Sequence, residues 1–327
     1  MFIDTLSFER YEEGEPWVAY RQFGQHFLAP LALLAYVDIQ LGNLQRLHID
    51  GIPLDLAARL LPRRTRWKPS LFLHLHMHSW SQKRVTKSTA KASSKKKFGP
   101  NAMRGLIDNL QSTVKRLKPH QQNTTWEAYY GNTNYSSSAE QHKVELIEQF
   151  VTETQPATVW DLGANSGKFS EIAARQAEHV VAFDYDPLCV EQLCQKPSDK
   201  VLALIMDLSN PSPSLGWRHQ ERSSLSDRGP ADTAMALALV HHLAIGNNVP
   251  LPEIASWMAD LTRHLIIEFV PKSDSQVQHM LSTRHDVFPN YTQAAFESAF
   301  EDHFSILKAI SIRECERTLY LMEKKGS

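Results

Sequence analysis

The apolar positions change their period part-way along the chain. Up to about Trp80 they crowd into leucine- and aromatic-rich stretches such as WVAYRQFGQHFLAPLALLAYVDIQL, which predict mostly helical structure. Pro62 and the segment PRRTRWKPS punctuate this region. From about residue 121 the pattern alternates. SAEQHKVELIEQFV places Val144, Ile147, Phe150 and Val151 at helical spacing. ATVWDLG reads as a buried strand, and HVVAFDYD, VLALIMD, DTAMALALV and HLIIEFV read as further strands. SGKFSEIAARQA and PLCVEQLCQ, the latter with Pro187 at its start, read as helices between them. FSILKAISI and RTLYLMEKK predict a closing antiparallel pair. Strands alternating with helices imply an α/β fold whose parallel sheet is covered on both faces. In such folds ligands bind at the carboxyl ends of the strands.

Composition narrows the class. The chain has 327 residues, enough for two ordinary domains, and is 42% hydrophobic and 22% charged. Its net charge of −1 carries no polyanion signal for the whole chain. The longest apolar run, FLAPLALLAYV, is short for a membrane span and contains a proline. The opening MFIDTLSFER lacks the basic-then-apolar order of a signal peptide. Three cysteines, Cys189, Cys194 and Cys315, make no disulfide framework and no CxxC pair. A cytoplasmic location is the expectation. Charge is uneven, however. Between Ser81 and Lys118 eleven basic residues stand against one acid, Asp108. The expected organisation is a helical region over 1–80, a basic linker over 81–120 and an α/β domain over 121–327.

The stretch VWDLGANSGKFS carries the chemistry. A dinucleotide fold wants G-x-G-x-x-G, but here Asn165 stands between Gly163 and Gly167, and Ser170 where the last glycine belongs. A P-loop wants Lys followed by Ser or Thr, but Phe169 follows Lys168 and the loop is one residue short. The stretch resembles instead the acid-x-Gly-x-Gly-x-Gly loop of class I S-adenosylmethionine-dependent methyltransferases. Asn165 replaces the central glycine, and it too tolerates positive φ. The resemblance covers about Trp126 to Lys325. It implies a Rossmann-like seven-stranded sheet with the last strand reversed, and S-adenosyl-L-methionine as cofactor. Asp161, Gly163, Asn165 and Gly167 then form the cofactor loop, Asp184 accepts the ribose hydroxyls and Asp207 faces the adenine. The amino-acid carboxylate is expected near the helix N-terminus that follows the loop. NPSPSLGW, ALALVHHLAIGNNVPL, EFVPKSD and RTLYLM are similar to a bacterial branch of this family, the NoeA-like nodulation proteins. More faintly, FIDTLSFE and the apolar stretch after it resemble the tail half of a kinase-like lobe, with Asp4 at the metal-binding aspartate. No phosphate loop, strand lysine or catalytic loop precedes it, so phosphotransfer is not expected, and a longer N-terminus in relatives is.

Other features each have a plain reading beside the functional one. His74, His76 and His78 in LFLHLHMH share one face if extended, as metal ligands do, but no acid or cysteine completes a site and a packed helix is favoured. The basic linker suits nucleic acid or an acidic partner, yet no aromatics interleave with Lys83 to Lys97, which favours a solvated linker. Trp126, Tyr129, Tyr130 and Tyr135 are placed to line a substrate or cofactor mouth, with packing against the first helix as the plain reading. The long segment 210–230, with Trp217, Arg218, Arg222 and Arg228, is placed to shape an acceptor pocket, with an ordinary surface excursion as the plain reading.

VHHLAIGNN, Val240 to Asn248, follows the fourth strand. If His241 and His242 sit on extended backbone they point to opposite faces, so they chelate poorly and no metal is expected. One of them faces the acceptor side, with Glu268 on the next strand to orient it or take a proton. Histidine titrates in the right range for a base, and hydrogen bonding to loop backbone is the equal alternative. The expected reaction is methyl transfer to an O or N nucleophile of a small-molecule acceptor, with oligomeric state open. A non-catalytic cofactor-binding scaffold and a nucleic-acid methyltransferase using the basic linker are the alternatives. The absence of an Asn-Pro-Pro-aromatic motif after the fourth strand counts against methylation of a base.

Overall fold

A computed structural model describes residues 17–77, 99–118, 135–196, 198–282 and 284–326. The chain divides into two compact units, residues 1–122 and 123–327.

The first unit is helical where described. Its main helices are α1 (Ala29–Tyr36), α2 (Leu54–Leu60) and α3 (Pro100–Arg116). Leu28, Leu33, Ile52, Leu54, Leu61, Leu75 and Leu110 form its core. Helix α3 departs from the expected exposed linker. Pro100 opens it after Gly99, at the first-turn position where a missing N–H costs nothing. Met103, Leu110 and Thr113 are buried, and Leu106, Val114 and Leu117 pack on the core at the same helical spacing. Arg104, Lys115 and Arg116 therefore belong to a packed amphipathic helix. Asp4, His78, the lysine-rich run Lys83–Lys97 and the aromatics Trp126, Tyr129 and Tyr130 lie outside the described residues.

His74 and His76 sit in a π-helical turn, Phe72–His76. The two ring nitrogens of His74 meet the Tyr20 hydroxyl and, at 2.8 Å, Asn109 Oδ1. His76 Nε2 is 2.9 Å from Thr65 Oγ1. Burial lowers both imidazoles below their usual range, keeping them neutral. These partners account for the histidines as packing groups.

The second unit holds one seven-stranded sheet: β1 (Thr158–Leu162), β2 (His179–Asp184), β3 (Val201–Ile205), β4 (Ala231–Ala236), β5 (Thr262–Phe269), β6 (Phe304–Ser311) and β7 (Thr318–Lys324). The order is β3-β2-β1-β4-β5-β7-β6, parallel except that β7 runs against both neighbours. This is the Rossmann-like sheet with a reversed last strand that the resemblance implies. Helices α4 (Ser137–Thr154) and α5 (Lys168–Ala173) bring Ile147, Phe150 and Ile172 to one core. Helices α7 (Leu251–Leu261) and α9 (Gln293–Glu301) bring Ile254, Met258, Phe296 and Phe300 to the other. Between them in the chain come α6 (Pro187–Cys194) and α8 (Ser275–Ser282). Strand β1 is buried on both faces, as its continuous apolar run implies. No helix among the described residues is long and apolar enough to cross a membrane.

The place of α3 in the first core is testable. Leu110→Ala removes a buried side chain and is expected to cost the helical unit about 2–4 kcal/mol. Amide hydrogen exchange checks it: helices within residues 17–77 exchange faster in the variant, and β1 and β4 do not.

Candidate functional site

The chain reverses sharply after β1, and each residue of the turn has its own reason. Gly163 has φ 81°, and an added Cβ would meet only Leu239 Cδ1 at an ordinary 3.5 Å, so the backbone angle is what requires glycine. Asn165 adopts φ 49°, which asparagine tolerates, and its amide donates to Asp184 Oδ2 at 2.7 Å. Gly167 has φ 79° and lies so close to α6 that a Cβ would meet Leu193 Cδ1 at 2.4 Å.

A cavity of about 410 Å³ opens at the carboxyl ends of the strands. Asp161, Asp184 and Asp207 line it, one from each of β1, β2 and the segment after β3, along with Gly163 and Asn165. Gly167 does not line it. Asp161 is buried, accepts a 2.6 Å bond from Ser170 Oγ and has no cation within ion-pair distance among the described residues. Burial raises its carboxyl to about 7, against the Ser170 bond. Burial also raises Asp184, although the amides of Asp186 and Asn165 oppose the shift. Asp207 Oδ1 accepts two bonds from Ser209, one from its amide at 2.9 Å and one from its hydroxyl at 2.6 Å. After β3, Met206, Asp207, Leu208 and Ser209 reach the cavity; Trp217, Arg218, Arg222 and Arg228 do not line it.

The histidines depart from the extended geometry. Strand β4 ends at Ala236, and the chain turns through Ala238 at φ 52°. His242–Gly246 then forms a π-helical turn, with His241 preceding it in helical conformation. The two rings are therefore neighbours, 4.1 Å between centroids, rather than on opposite faces. His242 lines the cavity; His241 does not, and its buried Nδ1 has no hydrogen-bond partner among the described residues. Burial, then the Arg317 charge, brings His242 down to about 4. Burial, His242 and Arg317 hold His241 well below the usual range.

Glu268 does not serve either histidine. It is fully buried, with Lys143 Nζ at 2.7 Å from Oε2 and the Tyr135 hydroxyl on Oε1. Arg317 Nη1 approaches Oε1 at 3.7 Å and donates to the Tyr135 hydroxyl at 2.8 Å, while its Nε binds Asp274 at 2.8 Å. Burial alone would raise Glu268; Lys143 and Arg317 outweigh it and hold the carboxyl below its usual range. The group is a counter-ion inside a closed network, so the expectation that it orients a histidine or takes a proton does not fit this geometry.

Comparison with known proteins decides the family. The nodulation protein NoeA of Rhizobium meliloti (strain 1021) is 35% identical over 331 aligned positions, which take in 99% of this chain and 70% of that protein. The chain belongs to the NoeA family. No protein-family model matches it. Among solved structures, the N-methyltransferase NodS from Bradyrhizobium japonicum WM9, with bound S-adenosyl-l-homocysteine, overlays 61% of this chain and 93% of its own at 10% identity and TM-score 0.45. The magnesium protoporphyrin IX methyltransferase ChlM from Synechocystis PCC 6803 overlays 61% and 93% at 18% identity and TM-score 0.42. These overlays are too loose to argue from.

Two cavity residues of this NoeA-family chain escaped the sequence reading or entered it only in part. Lys143 is one: it lines the cavity from a buried position on α4. Its signal was its place four residues before Ile147, on the apolar stripe of the helix. Tyr135 was expected at the mouth and does line the cavity, but its ties to Lys143, Glu268 and Arg317 had no local signal.

Burial makes the ionised form of Asp161 costly. The folded chain keeps this proton to about pH 7, whereas an ordinary aspartate releases it near 3.8. Stability therefore falls as pH rises through that window and stays at the lower level above it. Asp161→Asn is expected to stabilise the unliganded protein at pH 8 by about 2–4 kcal/mol, with the gain vanishing below about pH 4; urea unfolding at both pH values measures it. Glu268→Gln leaves Lys143 and Arg317 buried against Asp274 alone. It is expected to lose about 3–5 kcal/mol in the same assay.

Proposed function

We propose that this chain is an S-adenosylmethionine-dependent methyltransferase acting on an O or N nucleophile of a small-molecule acceptor. The observation that carries this reading is the row of three carboxylates, Asp161, Asp184 and Asp207, lining one cavity at successive strand ends beside a left-handed turn. The cavity size, about 410 Å³, lies in the range of small-molecule sites.

The donor set fits the cofactor. Asp161 is a buried carboxyl without an ion-pair partner among the described residues, and it suits a positively charged ligand. Asp184 uses one lone pair of each oxygen on backbone amides, at 2.7 and 2.8 Å, and a carboxylate has about four acceptor sites, so two remain for ribose hydroxyls. Asp207 Oδ2 is without a hydrogen bond among the described residues and suits an amino donor such as that of adenine. Gly163 and Asn165 would lie along the bound molecule, while Gly167 would let the turn close on α6. When bound, S-adenosyl-L-methionine supplies a methyl on a cationic sulfur for in-line displacement.

The chain's own part is chiefly positioning. His242 is the acceptor-side residue, because it lines the cavity and His241 does not. With its imidazole held neutral down to about pH 4, it accepts a hydrogen bond from the nucleophile without retaining the proton. His241 supports the ring of His242 at 4.1 Å. Leu237, Leu239 and Leu243 keep this part of the wall apolar and limit water.

Calorimetry with S-adenosylmethionine and S-adenosylhomocysteine tests the reading. Binding of both is expected, with Asp184→Ala weakening each by at least about tenfold through two lost charged hydrogen bonds. Absence of heat in the wild type, or unchanged affinity in the variant, rejects it. Transfer of a labelled methyl group into a cell extract follows the acceptor. His242→Ala is expected to lower this transfer by about 10- to 100-fold with cofactor affinity kept. At saturating cofactor, whose positive charge keeps Asp161 ionised, the wild-type rate is expected to show no inflection near pH 6.5, where an ordinary histidine base would give one.

A further inference from the structure

The cavity wall carries two buried groups of opposite sign that are not paired with each other. Asp161 accepts a hydrogen bond from Ser170 and no other among the described residues. Lys143 Nζ, with its side chain 5% exposed, donates to Glu268 Oε2 at 2.7 Å and to the Tyr135 hydroxyl at 3.3 Å. An ammonium has three N–H donors. The third has no acceptor among the described residues. The nitrogen lies 4.9 Å from the ring centroid of Phe169 and 5.0 Å from that of Tyr135, and both rings line the same cavity. A buried ammonium N–H without an acceptor is costly until one arrives, and an anionic oxygen is the strongest one.

The helix N-terminus expected to hold a carboxylate is a weaker candidate. Helix α5 is only six residues long. Neither Gly167 nor Lys168 lines the cavity, and the Lys168 ammonium is tied to Glu140.

Resting on the reading of this cavity as a cofactor site, we propose that Lys143 binds the carboxylate of the cofactor's α-amino acid head group while Asp161 faces its ammonium. The pair reads a zwitterion: each wall group meets the ligand charge it lacks. Glu268 and Arg317 with Asp274 leave the rest of the network balanced, so Lys143 is fixed in place and its third donor is aimed by the two bonds it already makes. The ligand class is then a nucleoside thioether or sulfonium carrying a free α-amino acid, preferred over the same nucleoside without one.

Calorimetry with two probes separates this from the cofactor assignment itself: S-adenosylhomocysteine, and 5′-methylthioadenosine, which lacks the amino acid. The variant is Lys143→Met combined with Glu268→Gln, which removes both members of the ion pair and leaves no lone buried charge. The wild type is expected to bind the homocysteine compound more tightly. The double variant is expected to weaken it by about 10- to 100-fold and to change 5′-methylthioadenosine by less than about twofold. If both ligands keep wild-type affinity, or both weaken equally, Lys143 does not read the carboxylate and the proposal is overturned. If the wild type binds neither, the cofactor reading fails first.

Discussion

Lys143, Glu268, Arg317 and Asp274 are four charged side chains taken out of water within one hydrogen-bonded cluster, with the Tyr135 hydroxyl at its centre. Two positive and two negative charges balance, which is the condition under which such a cluster is tolerable in the interior. The cluster joins the residue ahead of α4, helix α4 itself, β5, the segment after β5 and the residue before β7. The antiparallel pairing of β7 with β5 sets Leu319 opposite Glu268 and so brings Arg317 to it. The reversed strand thus has a local consequence: it delivers a guanidinium to the carboxyl end of β5. The cavity inherits its geometry from this cluster, since Lys143 and Tyr135 are members of both.

The turn after β1 shows how one short motif can serve several constraints. Gly163 answers to a backbone angle, Gly167 to the approach of Leu193, and Asn165 to a hydrogen bond with Asp184 in a conformation that glycine would also allow. Of these three, Gly163 and Asn165 face the cavity and Gly167 does not. Reading the motif as three equivalent cofactor contacts would therefore overstate Gly167. Its part is to let the turn pack on α6.

Burial sets the chemistry of the titratable groups here more than their identity does. Asp161 is raised and His242 is lowered by the same cause, removal of the charged form from water. The acid is drawn toward its neutral form and the histidine stays neutral down to about pH 4. This arrangement suits a site that receives a cation and does not wish to supply one. It also removes the usual reason for placing histidine beside a nucleophile, a pKa near neutrality, and leaves hydrogen bonding and shape.

The strands, their order of appearance and the loop with its following acids were legible from residue patterns, because a strand buried on both faces must be a continuous apolar run and a left-handed turn must use glycine or asparagine. Those are local requirements, met within a few residues. What only the tertiary structure decided depends on residues far apart in the chain. The helical backbone after β4, with Ala238 at positive φ, put His241 and His242 side by side and turned only one to the cavity. The partners of Glu268 come from 125 and 133 positions away, and no spacing rule reports them. Helix α3 hid inside a lysine-rich stretch because its apolar stripe has meaning only against the core that receives it. Local sterics write themselves into a sequence; the pairing of buried charges is settled by which elements the fold brings together.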